Sequence, residues 1–232
     1  MKTHDVSASP TTLAAQLSEF KQNFIRRVDP ARVTVMEAAT AALRTTGIEQ
    51  QALNVGDRVP PLALPDALGR AVDLHQLWQN GPLVVVFYRG GWCPYCNLEL
   101  RAWQNELDSL AQLGGTLVAI SPQTPDTSLS TAEKNDLRFP VLSDSRLEAA
   151  KAFGVGFDMP VELVKLYSGI GHDLPVINGN GQWYLPIPAT YVVGKDGCIL
   201  YAHVEADYRE RAEPAEVMAH VRKAVAGGQR IF

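Results

Sequence analysis

Two cysteines spaced three residues apart, Cys93 and Cys96, are the residues of this sequence best suited to chemistry. They follow the unbroken apolar run from Leu83 to Tyr88 and precede an amphipathic pattern, so they lie where a buried strand ends and a helix begins. The unpaired N–H groups and the positive dipole end of a helix N-terminus favour a thiolate over a thiol. Such a position can lower the pKa of a cysteine from about 8.5 toward neutrality and make it nucleophilic.

The residues around the pair fit this chemistry. Pro94 suits the first helical turn, where its missing N–H would be unpaired anyway. A spacing of three residues on one helical turn brings both sulfurs within reach of a disulfide, and Arg89 adds positive charge just upstream. The pair is therefore predicted to be redox-active. Zinc needs four ligands, and no second close cysteine pair or close histidine pair completes a set, so we predict no metal and no cofactor.

The bulk composition excludes several classes of protein. A net charge of -4 over 232 residues argues against nucleic-acid and acidic-membrane partners. No apolar run reaches the roughly 18 residues of a membrane span, and residues 1–5 do not lead into an apolar signal core. Three cysteines in all are too few for a secreted disulfide scaffold. We therefore predict a cytoplasmic protein, and we expect the third cysteine, Cys198, to be a small core residue.

The element pattern predicts an α/β fold with a mixed central sheet. The buried run at 83–88, an apolar helical face at 100–110 and the apolar run from Thr116 to Ile120 form a βαβ unit. The remaining predicted elements are a hairpin within 55–74, helices at 128–137 and 145–153, a strand at 139–142, a hairpin of 190–193 with 198–203, and a final helix from Pro214 with Val217, Val221 and Val225 inward. Glu99 and Arg101 are predicted to lie on a solvent-exposed helix face.

The first fifty residues are predicted to form two helices that precede the main fold. Leu13, Leu17, Phe20 and Phe24 recur at helical spacing after Ser9-Pro10, and a second helix runs from Asp29-Pro30 to Gly47 with Val33, Met36 and Leu43 on one face. We predict an N-terminal helical extension at 1–50, serving as a packing or dimer element, and a redox domain at 51–232. An insertion around 155–187 either walls the active site or serves packing alone.

The segment from Phe87 to Cys96 resembles the redox motif of peroxiredoxin-like proteins in the alkyl hydroperoxide reductase/thiol-specific antioxidant (AhpC/TSA) family. The resemblance runs from about Val55 to the end, and includes Val55-Gly56-Asp57, Ala119-Ile120-Ser121, Phe139-Pro140-Val141-Leu142 and the turn at 193–197. It implies a thioredoxin-like fold, often dimeric, that reduces hydroperoxides with electrons from thioredoxin or another thiol.

The resemblance also assigns roles to the cysteines. The peroxide-attacking cysteine of the family lies nine residues after its Phe, a place that Cys96 occupies when counted from Phe87. Cys93 then stands where the family has Thr, and Arg89 where it has Pro. The family's activating Arg falls at Pro188.

A second resemblance, to thioredoxins and glutaredoxins, reverses these roles. Cys-Pro-Tyr-Cys is the glutaredoxin form of the motif, Trp92 before it is thioredoxin-like, and Pro188 matches the cis-proline that faces the disulfide in those folds. In this interpretation Cys93 is the nucleophile and Cys96 resolves the mixed disulfide.

Three functions follow as hypotheses. The first is a peroxiredoxin-like reduction of hydroperoxides, in which Trp92 and Tyr95 shape the site and Arg89 activates the thiolate. The second is a thiol–disulfide oxidoreductase that acts on protein or glutathione disulfides. The third is a non-catalytic binding protein that uses the pair as a redox sensor. The resemblance over most of the chain favours the first.

Overall fold

The computed structural model describes residues 12–228 of the chain. Its strands are β1 (Ala63–Pro65), β2 (Ala71–Asp73), β3 (Leu83–Phe87), β4 (Thr116–Ser121), β5 (Val141–Ser143), β6 (Gly156–Asp158), β7 (Tyr184–Pro186), β8 (Ala189–Val193) and β9 (Ile199–Val204). The central sheet has the order β5-β4-β3-β8-β9. β3 and β5 run parallel to β4, whereas β8 is antiparallel to both β3 and β9. The prediction of a mixed sheet is confirmed.

Helices cover both faces of this sheet. They are α1 (Leu13–Arg27), α2 (Pro30–Thr45), α3 (Ile48–Gln51), α4 (Leu74–Asn80), α5 (Pro94–Gln112), α6 (Pro125–Lys134), α7 (Glu148–Ala152), α8 (Val161–Gly169), α9 (Leu174–Ile177) and α10 (Pro214–Gly228). The predicted βαβ unit is β3-α5-β4, and the predicted early hairpin is β1-β2. Between residues 12 and 228, no helix has the length and hydropathy of a membrane span.

Strand β3 is buried on both faces, which is why its sequence is uninterrupted apolar. Successive side chains of β3 point to opposite faces of the sheet and pack into two separate hydrophobic cores. Val85 and Phe87 pack with residues of α3, α4 and α7, and the Phe87 ring lies 4.9 Å from that of Phe153. Val84 and Val86 pack with residues of α1, α5 and α10. Residues 88–93, here called the cysteine loop, follow β3. The carboxyl end of β3, where this loop begins, is thus packed on both sides.

The two predicted N-terminal helices are α1 and α2. The Asp29 carboxylate accepts a hydrogen bond from Ala31 N at 2.9 Å, and Pro30 occupies the first turn, as the sequence predicts for this start. Gly47 follows α2 with φ of +75°, a backbone conformation that favours glycine. The predicted start at Ser9-Pro10 and the amino-terminal residues 1–5 lie outside the described residues.

The chain between 155 and 186 forms a small unit beside the sheet. Strand β6 pairs antiparallel with β7. Side chains of α8 and α9, among them Tyr167 and Leu174, form a separate apolar cluster. At the far end of the chain, Val217 and Val221 of α10 are buried as predicted, whereas Val225 is only half-buried.

Candidate active site

Cys93 and Cys96 lie at the start of α5, six and nine residues beyond the end of β3. Cys93 is the N-cap residue, with an extended backbone, and Pro94 occupies the first turn. Both cysteines are free and buried; Cys93 is 2% exposed and Cys96 has no exposed surface. The prediction that the pair follows a buried strand and begins a helix is confirmed.

Side chains, rather than a backbone ladder, hold the loop that leads into the pair. The N–H of Gly91 donates to Gln123 Oε1 at 2.7 Å, and its carbonyl accepts from Asn97 Nδ2 at 2.9 Å. Asn135 Nδ2 in turn donates to Asn97 Oδ1 at 2.9 Å. A Cβ on Gly91 would lie 2.2 Å from Thr131 Oγ1, so this close approach requires glycine.

Arg89, predicted to support the site, is buried within a shell of aromatic rings. Its guanidinium carbon lies 4.3 Å from the ring centroid of Tyr208, 4.9 Å from that of Trp92 and 5.6 Å from that of Tyr167. It also donates a hydrogen bond to the Tyr167 hydroxyl. Cation–π contacts of this kind stabilise a desolvated guanidinium by about 2 kcal/mol.

Glu99 is not on a solvent-exposed face, and that prediction is wrong. It lies one helical turn after Cys96, on the same side of α5, so it points inward with the sulfur. Its carboxylate has no exposed surface and accepts from Arg211 Nε at 2.5 Å. Arg101, predicted together with it, is exposed.

Arg211 is the second buried cation of the site. Its Nη2 lies 3.4 Å from Cys96 Sγ, while its Nη1 donates to two backbone carbonyls. Burial raises the pKa of Glu99 to about 7, although the charge of Arg211 opposes that shift. No local pattern in the sequence points to Arg211, which lies 112 residues from Glu99.

The two sulfurs differ in acidity. Burial, the largest influence, disfavours a thiolate on Cys93. The hydrogen bond from Cys96 and the charges of Arg89 and Arg211 together outweigh it and lower the pKa of Cys93 from 9.0 to about 6. Burial and the hydrogen bond to Cys93 raise the pKa of Cys96 well above 9.0. These opposite directions favour a thiolate on Cys93 over one on Cys96.

A cavity of about 90 Å³ opens onto Cys93. Since about 15 Å³ of such space holds one water molecule, it admits several water-sized groups. Its walls come from α1 and α2, from the cysteine loop, and from the 155–186 stretch, and include Phe20, Phe24, Met36, Tyr167, Ile170 and His172. Trp92 and Tyr95 also line it, as predicted. The 155–186 stretch therefore forms part of the cavity wall. Cys96 is not among the residues that line the cavity.

Pro188 does not have the predicted cis geometry. Every peptide bond of residues 12–228 is trans. Pro188 joins β7 to β8 in an extended path: Ile187 N donates to Val155 O at 2.8 Å, and the Pro188 carbonyl accepts from Glu205 N at 3.1 Å. Because both residues are hydrogen-bonded to neighbouring segments, the chain passes from β7 to β8 without a turn at Pro188.

Cys198 is not the core residue that the sequence predicted. It is half-exposed, just before β9, and its N–H donates to the Asp196 carboxylate at 3.0 Å. Strand β9 begins at Ile199, one residue later than predicted, so Cys198 lies in the turn region just before the strand. Within the described part of the chain, no three His, Cys, Asp or Glu side chains are grouped as metal ligands.

The fold and the dithiol at a helix N-terminus define a redox protein of the thioredoxin-like class. A model of the AhpC/TSA family matches residues 55–202. Peroxiredoxin Bcp of Escherichia coli K12 is 30% identical over 130 residues, which are 56% of this chain and 82% of that protein. The chain therefore belongs to the AhpC/TSA family.

Solved structures show the same fold. Peroxidoxin BcpB of Mycobacterium tuberculosis has a TM-score of 0.57 at 23% identity, over 78% of this chain and 99% of that chain. AhpC of Enterococcus faecalis has a TM-score of 0.60 at 14% identity, over 77% and 96%. The family and its peroxiredoxin relatives confirm the predicted class of enzyme, a thiol-dependent peroxidase, and do not favour the disulfide-exchange or sensor hypotheses. A homodimer, a cytoplasmic location and the domain boundaries stay predictions.

Proposed function

We propose that this protein reduces hydroperoxides at Cys93, with Cys96 as the resolving thiol and a thiol of another molecule, such as thioredoxin, as the reductant. The observation that carries the proposal is that Cys93 combines a lowered pKa with a place in the cavity wall. Cys96 has a raised pKa and no exposed surface. These properties support Cys93 over Cys96 as the attacking sulfur, although the resemblance to the family motif, counted from Phe87, implies Cys96.

The reaction takes two steps at the cysteines. The Cys93 thiolate attacks one peroxide oxygen, the O–O bond breaks, and the leaving alkoxide or hydroxide takes a proton from solvent. Cys93 is then a sulfenic acid. The Cys96 thiol attacks its sulfur, which forms the disulfide and releases water. An external dithiol reduces the disulfide and is itself oxidised.

Two buried cations favour the first step. Arg89 borders the cavity beside Cys93, and Arg211 lies against Cys96. Both stabilise negative charge on the sulfurs in a site from which water is largely excluded, where such charges act strongly. The position of the family's activating arginine is Pro188 in this sequence. Arg211 supplies a cation to the pair from a different segment.

The proposal is tested by rapid mixing of the reduced protein with hydrogen peroxide and with cumene hydroperoxide. Trp92 lies next to Cys93 and reports oxidation through its fluorescence. Preorganised charges of this kind accelerate reactions about 100-fold or more, so we expect oxidation at least that much faster than oxidation of a free dithiol. A rate equal to that of the free dithiol with both peroxides would refute the proposal.

The acidity of Cys93 predicts the pH dependence of this reaction. Its pKa is lowered to about 6, so the thiolate is lost only as the pH falls through about 6. We expect the rate constant to rise between about pH 5 and pH 7 and to be level above that range. A rate that keeps rising tenfold per pH unit toward pH 9 would show an unperturbed thiol.

The cavity wall predicts a selective effect of Phe24→Ala. Phe24 lines the cavity with apolar surface. An aryl substituent can pack against such a surface, whereas hydrogen peroxide has no apolar group to do so. Since each buried CH₂ group contributes about 0.8 kcal/mol, we expect the rate constant for cumene hydroperoxide to fall about 5- to 20-fold. The rate constant for hydrogen peroxide should stay within about 2-fold. Ile25→Ala, at an exposed neighbouring position, is the matched control and should change neither.

A further inference from the structure

Arg211 belongs to the segment that connects β9 to α10, residues 205–213, here called the arginine segment. The Nη1 of Arg211 donates to the carbonyls of Tyr208 at 2.6 Å and Glu210 at 2.7 Å. The place of the guanidinium is therefore set by the backbone of its own segment. Whatever holds that backbone also sets the distance from Arg211 to Cys96 and Glu99.

One end of the arginine segment is tied to the start of α1. The Glu213 carboxylate accepts hydrogen bonds from Ala14 N at 2.5 Å and from Leu13 N at 3.4 Å. Both N–H groups belong to the first turn of α1, where backbone N–H groups have no hydrogen-bond partner within the helix. A carboxylate at this end also interacts favourably with the helix dipole.

The other end is tied to α2 and α3. Four contacts join them: Arg44 Nη2 to Glu205 Oε1 at 2.6 Å, Ala206 N to Glu49 Oε1 at 2.8 Å, Tyr208 Oη to Met36 Sδ at 3.6 Å, and Arg209 Nη1 to Glu37 Oε1 at 3.4 Å. The bond from Ala206 N is the one that fixes the backbone directly. The Arg44–Glu205 pair is exposed and contributes little by itself.

We propose that α1–α3 position Arg211 at the cysteine pair, with Glu49 and Glu213 as the positioning residues. The segment also contacts the rest of the site: Glu205 N donates to the Pro188 carbonyl, and the Tyr208 ring packs against Arg89 and Tyr95. Ala206 and Ala212 are buried in the two hydrophobic cores, and Arg211 pairs with Glu99. The N-terminal helices lie outside the residues that match the AhpC/TSA family, which begin at residue 55. Arg211 also lies outside the matched residues, which end at 202, so the helices and the cation that they support both come from parts of the chain beyond the match.

The expected consequence is a change in thiol acidity. The titratable and charged groups around the pair are Tyr88, Arg89, Tyr95, Glu99, Tyr167, His172, Tyr208 and Arg211. Among them Arg211 is the cation whose position depends on the arginine segment. Displacing it weakens the stabilisation of the thiolate, and under the proposed function this also slows peroxide reduction.

The experiment compares Glu49→Ala, Glu213→Ala and the double variant with Glu49→Gln and Glu213→Gln, which keep an acceptor oxygen. Thiolate formation is followed by ultraviolet absorbance against pH, and Tm is measured in parallel. We expect the double alanine variant to titrate about 0.5 to 1 pH unit higher, and the glutamine variants to titrate like the unchanged protein. Glu19→Ala, an exposed carboxylate on α1, is the matched control and should shift neither measurement.

Alanine variants that lower Tm but leave the thiol titration unchanged would overturn the inference. They would show that α1–α3 stabilise the fold by packing without affecting the position of Arg211. Glutamine variants that shift as much as the alanine variants would overturn the assignment to hydrogen bonds. The single variants preserve the test if the double variant does not fold. The titration needs no peroxide, so it distinguishes failure of this inference from failure of the proposed peroxidase function.

Discussion

Cys93→Ser is expected to abolish rapid oxidation by hydroperoxide and leave only the slow reaction of an ordinary thiol. Cys93 is the sulfur that lines the cavity and the one whose pKa is lowered to about 6. A serine hydroxyl does not ionise near neutral pH, so the nucleophile is lost. The measurement is stopped-flow tryptophan fluorescence of the reduced variant, and Cys198→Ser, which removes a half-exposed thiol away from the pair, is the control.

Cys96→Ser separates attack from resolution. We expect the first oxidation to remain faster than that of a free thiol, and the reaction to stop at a sulfenic acid on Cys93. A sulfenic-acid-trapping reagent followed by mass spectrometry detects this product. If rapid oxidation survives in Cys93→Ser and vanishes in Cys96→Ser, Cys96 is the attacking residue, as the spacing of the family motif implies, and our assignment is wrong.

Glu99→Leu is expected to lower the free energy of unfolding by about 3–5 kcal/mol. Glu99 and Arg211 form a buried ion pair whose side chains are 0% and 1% exposed. Removing one partner leaves the other as an uncompensated charge out of contact with water, which is costly. Urea denaturation of the reduced protein measures the change. Glu106→Leu, a half-buried position on the same helix, is the control and should change stability by less than about 1 kcal/mol.

A second substitution tests the cause of this loss. Replacing both partners, as Glu99→Leu with Arg211→Met, removes both buried charges and should recover most of the stability. The double variant should still have a less acidic Cys93, since one of its two cations is gone. A Glu99→Leu protein as stable as the Glu106→Leu control would show that the pair contributes nothing to folding.

The parts of the fold with strong local patterns were predictable. The apolar run of β3, the helical face of α5 and the glycine turn before β9 each reflect the packing of a single element. The position of Cys93 at a helix start followed from the junction between two such patterns. Arg89 was identified as a supporting residue because it is close in sequence, although nothing indicated its shell of three aromatic rings.

The charged core of the site was not predictable in the same way. Glu99 was assigned to solvent by its charge, while its spacing of three residues from Cys96 placed it on the inward face of α5. That spacing was the available signal. Arg211 had no such signal, because its two side-chain partners, Glu99 and Cys96, belong to a helix more than a hundred residues earlier. Pairings of this kind arise only when the folded chain brings distant segments together.

These distances along the chain also determine when the site becomes functional during synthesis. Glu99 emerges from the ribosome 112 residues before Arg211, and the start of α1 emerges about 200 residues before Glu213. At about 5–20 residues per second, the first interval is on the order of ten seconds. The nascent chain therefore carries its cysteines without the full set of cations that acidifies them. We expect thiol reactivity to be acquired only after the arginine segment has been made and has joined α1–α3, which are synthesised before it.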